Sequence, residues 1–141
     1  MQDIASSADH RLHLRQQTEQ LLHLAQYLAP SDRELVCSIY HHGMTPTQLA
    51  RAIGARPRAV RARLQRLLTR INSPTFRYVL ATRHKWTPRT RRIAEAIFLR
   101  GEAQRQTAAR AQTTLHHVRR ESQRIRANAE AAPVTHPPNA P

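Results

Sequence analysis

Residues 44–64 read MTPTQLARAIGARPRAVRARL and decide how the chain folds around them. Thr45-Pro46-Thr47-Gln48 has the form of a capping box: the threonine hydroxyl and the glutamine side chain satisfy each other's orphan amides, with Pro at its tolerated first-turn position. Leu49, Ala50 and Ile53 follow at helical spacing and are expected to face a core, and Gly54 supplies a left-handed stop. Pro57 then opens another helix, whose inward positions are Val60, Leu64, Leu67, Leu68 and Ile71. The stretch also holds five arginines and no acidic residue. Whether those arginines form a binding surface or only a solvated face is the functional question.

Working outward, Ser31-Asp32-Arg33-Glu34 has the pattern of a second capping box, followed by Leu35, Val36, Ile39 and Tyr40 and a stop near Gly43. Upstream, Leu14, Leu21 and Leu28 with Leu24 and Ala25 form a stripe, predicting an amphipathic helix over about residues 10–28 that packs on the next element or pairs two copies as a homodimer. Downstream, Asn72-Ser73-Pro74 marks a turn and cap, and Phe76, Val79 and Leu80 predict a connecting helix over roughly 74–84. Thr87-Pro88 starts another helix, in which Ile93, Ala94, Ile97 and Phe98 repeat the pattern of Leu35, Val36, Ile39 and Tyr40.

Aligning Gly101 on Gly43 sets an offset of 58, which superimposes Pro88 on Pro30, Arg91 on Arg33, Gln106 on Gln48, Ala108 on Ala50 and Val118 on Val60 without a gap. An internal duplication explains this order better than chance matching of two Ala- and Arg-rich segments. The expected fold is all-α: an N-terminal helix (1–29), a first helix-turn-helix module (30–71), a connecting helix (72–86), a second module (87–126) and a disordered tail (127–141) rich in Ala, Pro and Asn.

The 141 residues carry 23 basic and 9 acidic side chains, a net charge of +14, and Lys85 is the single lysine. Arginine richness alone reflects composition bias as readily as a ligand. Its distribution separates the two readings, because Leu35 to Ala94 contains twelve Arg and Lys85 but no Asp or Glu. A polyanionic partner follows. The lone Cys37 makes no internal disulfide and is expected as a small buried hydrophobe. With Asp3 and Asp9 near the start and no long apolar run, neither a signal peptide nor a membrane span is expected, which places the protein in the cytoplasm, associated with the nucleoid.

In a helix-turn-helix, Ala50, Gly54 and Val60 have the required spacing of small residue, turn glycine and packing aliphatic. The exposed opening of the second helix then carries Arg56, Pro57, Arg58, Arg61 and Ala62. Residues 30–71, through LARAIG and VRARLQRLLTRI, resemble region four of extracytoplasmic-function sigma factors, with the LuxR-type DNA-binding domain a close relative. The resemblance implies that Arg56, Arg58, Arg61 and Ala62 meet the major groove of duplex DNA. Sigma factors also carry a region two, for which this chain has no matching segment. Residues 87–125 resemble the same fold and the TrfB-type plasmid repressors, in a more eroded form. Gln112 stands at the turn in place of Gly54, Thr107 and Ala111 replace the larger Leu49 and Ile53, and Thr113 stands at Ala55. The corresponding opening presents Thr114, His116, His117, Arg119 and Arg120.

Arginine suits such a surface because its planar fork reaches guanine O6 and N7 together, or clamps a phosphate. Arg63, Arg66 and Arg70, further along, are expected to be solvated or to meet the backbone. Phe76 and Trp86 are expected to fill the joint between the modules. His41-His42 and His116-His117 point about 100 degrees apart within each pair and make poor metal ligands. No paired carboxylates, activated nucleophile or phosphate-cradling loop stands out, so neither an enzyme nor a cofactor is expected. The sequence thus points to a duplex DNA-binding transcription regulator in which the first module dominates affinity. Two rivals remain: a sigma-like adaptor whose second module binds RNA polymerase or another protein, and the DNA-binding part of a transposase or recombinase system.

Overall fold

A computed structural model describes residues 2–132, with side chains described from residue 6. All regular structure in these residues is helical. The order is α1 (Gln2–Ala25), α2 (Pro30–Tyr40), α3 (Pro46–Ile53), α4 (Pro57–Ile71), α5 (Pro74–Thr82), a 3-10 turn (Arg83–Lys85), α6 (Pro88–Ala94) continuing as a π-helical turn (Glu95–Leu99), α7 (Gln104–Arg110) and α8 (Leu115–Ala131). The chain divides into two compact units, 1–71 and 72–141.

In the first unit α3 packs mainly on α4, and α2 lies against α1, α3 and α4. Its core is Ala25, Leu28, Leu35, Val36, Leu49, Ala50, Val60, Leu67 and Ile71. The α3–α4 connection forms as its residues dictate. Gln48 N donates to Thr45 Oγ1 (3.1 Å) while Thr45 N donates to Gln48 Oε1 (2.9 Å), completing the capping box. Such a cap contributes about 1 kcal/mol. At the far end Gly54 takes φ +71, and Ala55 N reaches back to Ala50 O at 2.9 Å. Only two residues then separate this turn from Pro57, so α4 starts immediately.

The second unit repeats this frame. Its three counterparts begin at Pro88, Gln104 and Leu115, each 58 residues after Pro30, Pro46 and Pro57. The backbone bonds at the turns repeat with the same offset: Met44 N to Ser38 O (3.0 Å) becomes Glu102 N to Ala96 O (2.8 Å), and Ala55 N to Ala50 O becomes Thr113 N to Ala108 O (3.0 Å). Gln112 adopts φ +52 at the position of Gly54, and Gly101 adopts φ +67 where Gly43 has +70. Ile93, Ala108 and Val118 form a buried cluster with Ile97 and Ala111 packed against it.

Six expectations need correction. Ser31 does not cap α2. Pro30 occupies the first turn instead, the N-cap falls on Ala29, and that residue makes no side-chain cap bond. α1 begins earlier than its leucine stripe suggested and ends at Ala25; Leu14 is 47% exposed, and Leu28 is buried from the turn beyond the helix. Ile53, expected in the core, is 56% exposed, because α3 ends there and no further turn covers it.

The helix expected to connect the modules packs inside the second unit. Phe76 and Val79 of α5 are fully buried, and α5 lies against α8 and the π-helical turn. Phe76 is therefore a core residue of that unit, while Trp86 sits 6.1 Å from Tyr78, ring to ring. Finally, α8 continues to Ala131 with Ala129 buried against its unit, so residues 127–131 are not a tail. Residues 133–141 of the expected tail lie outside the described residues.

Candidate nucleic-acid interface

The opening of α4 brings Arg58, Arg61 and Ala62 onto one helical face at i, i+3 and i+4, all exposed. Arg56 precedes the helix and is exposed, and Pro57, half-buried, fixes the first turn. Arg61 is held in place. One of its terminal nitrogens (Nη2) donates to Thr47 Oγ1 at 3.1 Å, tying the opening of α4 to the first turn of α3. Thr47 did not stand out in the sequence, since a contact fourteen residues apart follows from neither helix periodicity nor capping.

The other arginines of α4 differ in role. Arg63 donates from Nε (3.1 Å) and Nη2 (2.6 Å) to Asp32 Oδ1, and from Nη2 to Ser31 Oγ (3.0 Å). Arg70 Nη2 reaches Asp32 Oδ2 at 3.4 Å. Both were expected to be solvated or to meet the backbone; they instead fasten α4 to α2 through one carboxylate. The same contact explains Ser31, which the sequence assigned to a cap, and Asp32, which stood inside that motif without a role. Arg66 remains exposed. The result is a division along one helix: Arg63 and Arg70 are neutralised by Asp32, while Arg56, Arg58, Arg61 and Arg66 form no ion pair among the described residues.

In the second unit, His116, Arg119 and Arg120 share one face of α8 with the same i, i+3, i+4 spacing, and all three are exposed. His117 is half-buried, and Thr114 is the N-cap, its hydroxyl accepting from His117 N at 3.1 Å. Thr114 is therefore occupied in starting the helix. The counterpart of Thr47 is Arg105, so the hydroxyl that Arg61 meets is replaced here by another exposed cation. Asp32 has no acidic counterpart, since Thr90 stands 58 residues later.

Cys37 is half-buried. The rings of His41 and His42 pack edge to face at 4.8 Å. No helix among the described residues is long and apolar enough to cross a membrane. Comparison with protein-family models, curated proteins and solved structures finds no match to this chain. The functional reading therefore stands on the geometry and charge of the two helix openings.

Proposed function

We propose that the chain binds duplex DNA through the openings of α4 and α8, each presented as the second helix of a helix-turn-helix module, and that it acts as a transcription regulator. One observation carries the reading: Asp32 gathers Arg63 and Arg70, while Arg56, Arg58 and Arg61 at the opening of the same helix are exposed without an ion pair among the described residues. A merely solvated basic face has no reason to be sorted in this way. A groove-reading face does, because it needs its cations available at one end and its helix anchored at the other. Arg61, steadied by Thr47, suits a phosphate contact that sets register, and Arg58 is free to reach a base edge.

The test is fluorescence anisotropy on duplex DNA across a salt series. Arg58→Ala with Arg61→Ala is expected to weaken binding at least tenfold at moderate salt, each lost contact amounting to about 1–3 kcal/mol. Arg11→Ala with Arg15→Ala, on exposed α1, is expected to change it little. Equal losses from the two pairs would overturn the assignment of the α4 opening. His116→Ala with Arg119→Ala separates the adaptor alternative: if that pair leaves every duplex affinity unchanged, the second unit has a partner other than DNA, with RNA polymerase first in line.

A further inference from the structure

The two units share a frame but not a filling. At the joint of α6, the π-helical turn and α7, the second unit has a partly open cavity of about 130 Å³. Small groups line it: Ala96, Thr107 and Ala111. At the matching positions of the first unit, 58 residues earlier, stand Ser38, Leu49 and Ile53. The buried Leu49 has thus become a threonine and the half-exposed Ile53 an alanine, so less side chain fills this joint.

The polar lining has changed in the same place. Arg92, Arg100 and Arg110 line the cavity where the first unit has Glu34, His42 and Ala52. Neither Arg92 nor Arg100 forms an ion pair among the described residues. Glu102 stands where the first unit has Met44, and its side chain is only 8% exposed. Its Oε2 accepts from Arg110 Nη1 at 3.3 Å, but its Oε1 is buried with no hydrogen-bond partner. A buried carboxylate oxygen left unpaired is costly, and a cavity beside it is where a donor would relieve that cost.

From these features we infer that the cavity is a binding site for a small amino-bearing anion. The amino group donates to Glu102 Oε1, and a carboxylate or phosphate meets Arg92 and Arg100. Three arginines against one glutamate leave a double positive excess, which selects a net negative ligand. The volume is far below the roughly 300 Å³ at which drug-sized pockets begin, so the ligand is the size of an acidic amino acid or an aminoalkyl phosphate. Methyl-lined walls from Ala96, Thr107 and Ala111 suit its short carbon chain. The π-helical turn that contributes Ala96 is of a kind that recurs at functional sites.

The experiment titrates the full chain, without DNA, with L-aspartate and phosphoethanolamine, and with succinate and inorganic phosphate as partners lacking the amine. Amide NMR shifts are followed. Saturable shifts centred on residues 92–111 are expected for the aminated probes, at least about tenfold tighter than for the others, the size of one charge-assisted hydrogen bond. Glu102→Met, which installs the first unit's residue, is expected to erase that preference. Thr107→Leu with Ala111→Ile, which restores the first unit's filling, is expected to abolish binding while circular dichroism stays native. The inference is overturned if no probe gives saturable shifts at millimolar concentration, if aminated and plain anions bind alike, or if the filled cavity binds undiminished. Should the filled variant not fold, Glu102→Met alone decides. Because no DNA is present, the outcome is independent of the duplex-binding proposal.

Discussion

Arg61 and Arg63 lie two residues apart on α4, yet one is held toward α3 by Thr47 and the other toward α2 by Asp32. Residue identity gave no hint of this difference; what separates them is the side of the helix on which an acid happens to wait. Asp32 is 17% exposed at its side chain, with Arg63 at 37% and Arg70 at 23%, so the cluster lies between an exposed pair and a buried one. Asp32→Asn is therefore expected to cost about 1–2 kcal/mol in urea denaturation. It should not weaken duplex DNA affinity, because it removes a negative charge and leaves the helix opening intact. Arg63 is committed to a partner 31 residues away, which its position along the helix did not reveal.

At the scale of single elements, local chemistry was the better guide. Thr45, Ser73 and Thr87 each cap the helix they precede, accepting from Gln48 N, Phe76 N and Thr90 N. These caps were legible because a hydroxyl and the amide it meets are three residues apart. Ser31 had the same signature and failed, because Pro30 started α2 earlier and Arg63 claimed its hydroxyl. The two turns offer a sharper contrast. Gly54 has open space where a side chain would sit, so Gly54→Ala meets no clash and costs only the left-handed backbone, about 1–2 kcal/mol. Gln112 already bears that cost at φ +52. Gln112→Gly is accordingly expected to raise stability by about 0.5–1 kcal/mol, measured by the shift of the denaturation midpoint.

For the whole molecule, charge is unevenly shared: residues 1–71 hold ten basic and five acidic side chains, and residues 72–141 hold thirteen and four. The second unit therefore supplies more of the long-range attraction to a polyanion, even though the first has the better-formed helix opening. A chain engaging six phosphates would show log K falling by about 5 per log unit of salt, and each arginine removed from a phosphate contact would reduce that slope by about 0.9. The slope of the full chain, compared with that of Arg58→Ala plus Arg61→Ala, distinguishes a base-reading loss from a phosphate loss: affinity falls in both, but the slope changes only in the second. The sequence by itself determined the all-α class, the starts of most helices, the left-handed turns and the repeat at 58 residues. Those features rest on bonds and backbone angles set by residues a few positions apart, and on a pattern that can be counted. Only the tertiary structure decided that Asp32 neutralises Arg63 and Arg70, that Ile53 is left uncovered, that α5 belongs to the second unit, and that thinner filling around Glu102 opens a cavity. Each of these depends on what lies against a side chain from elsewhere in the chain, and spacing along one helix carries no record of that.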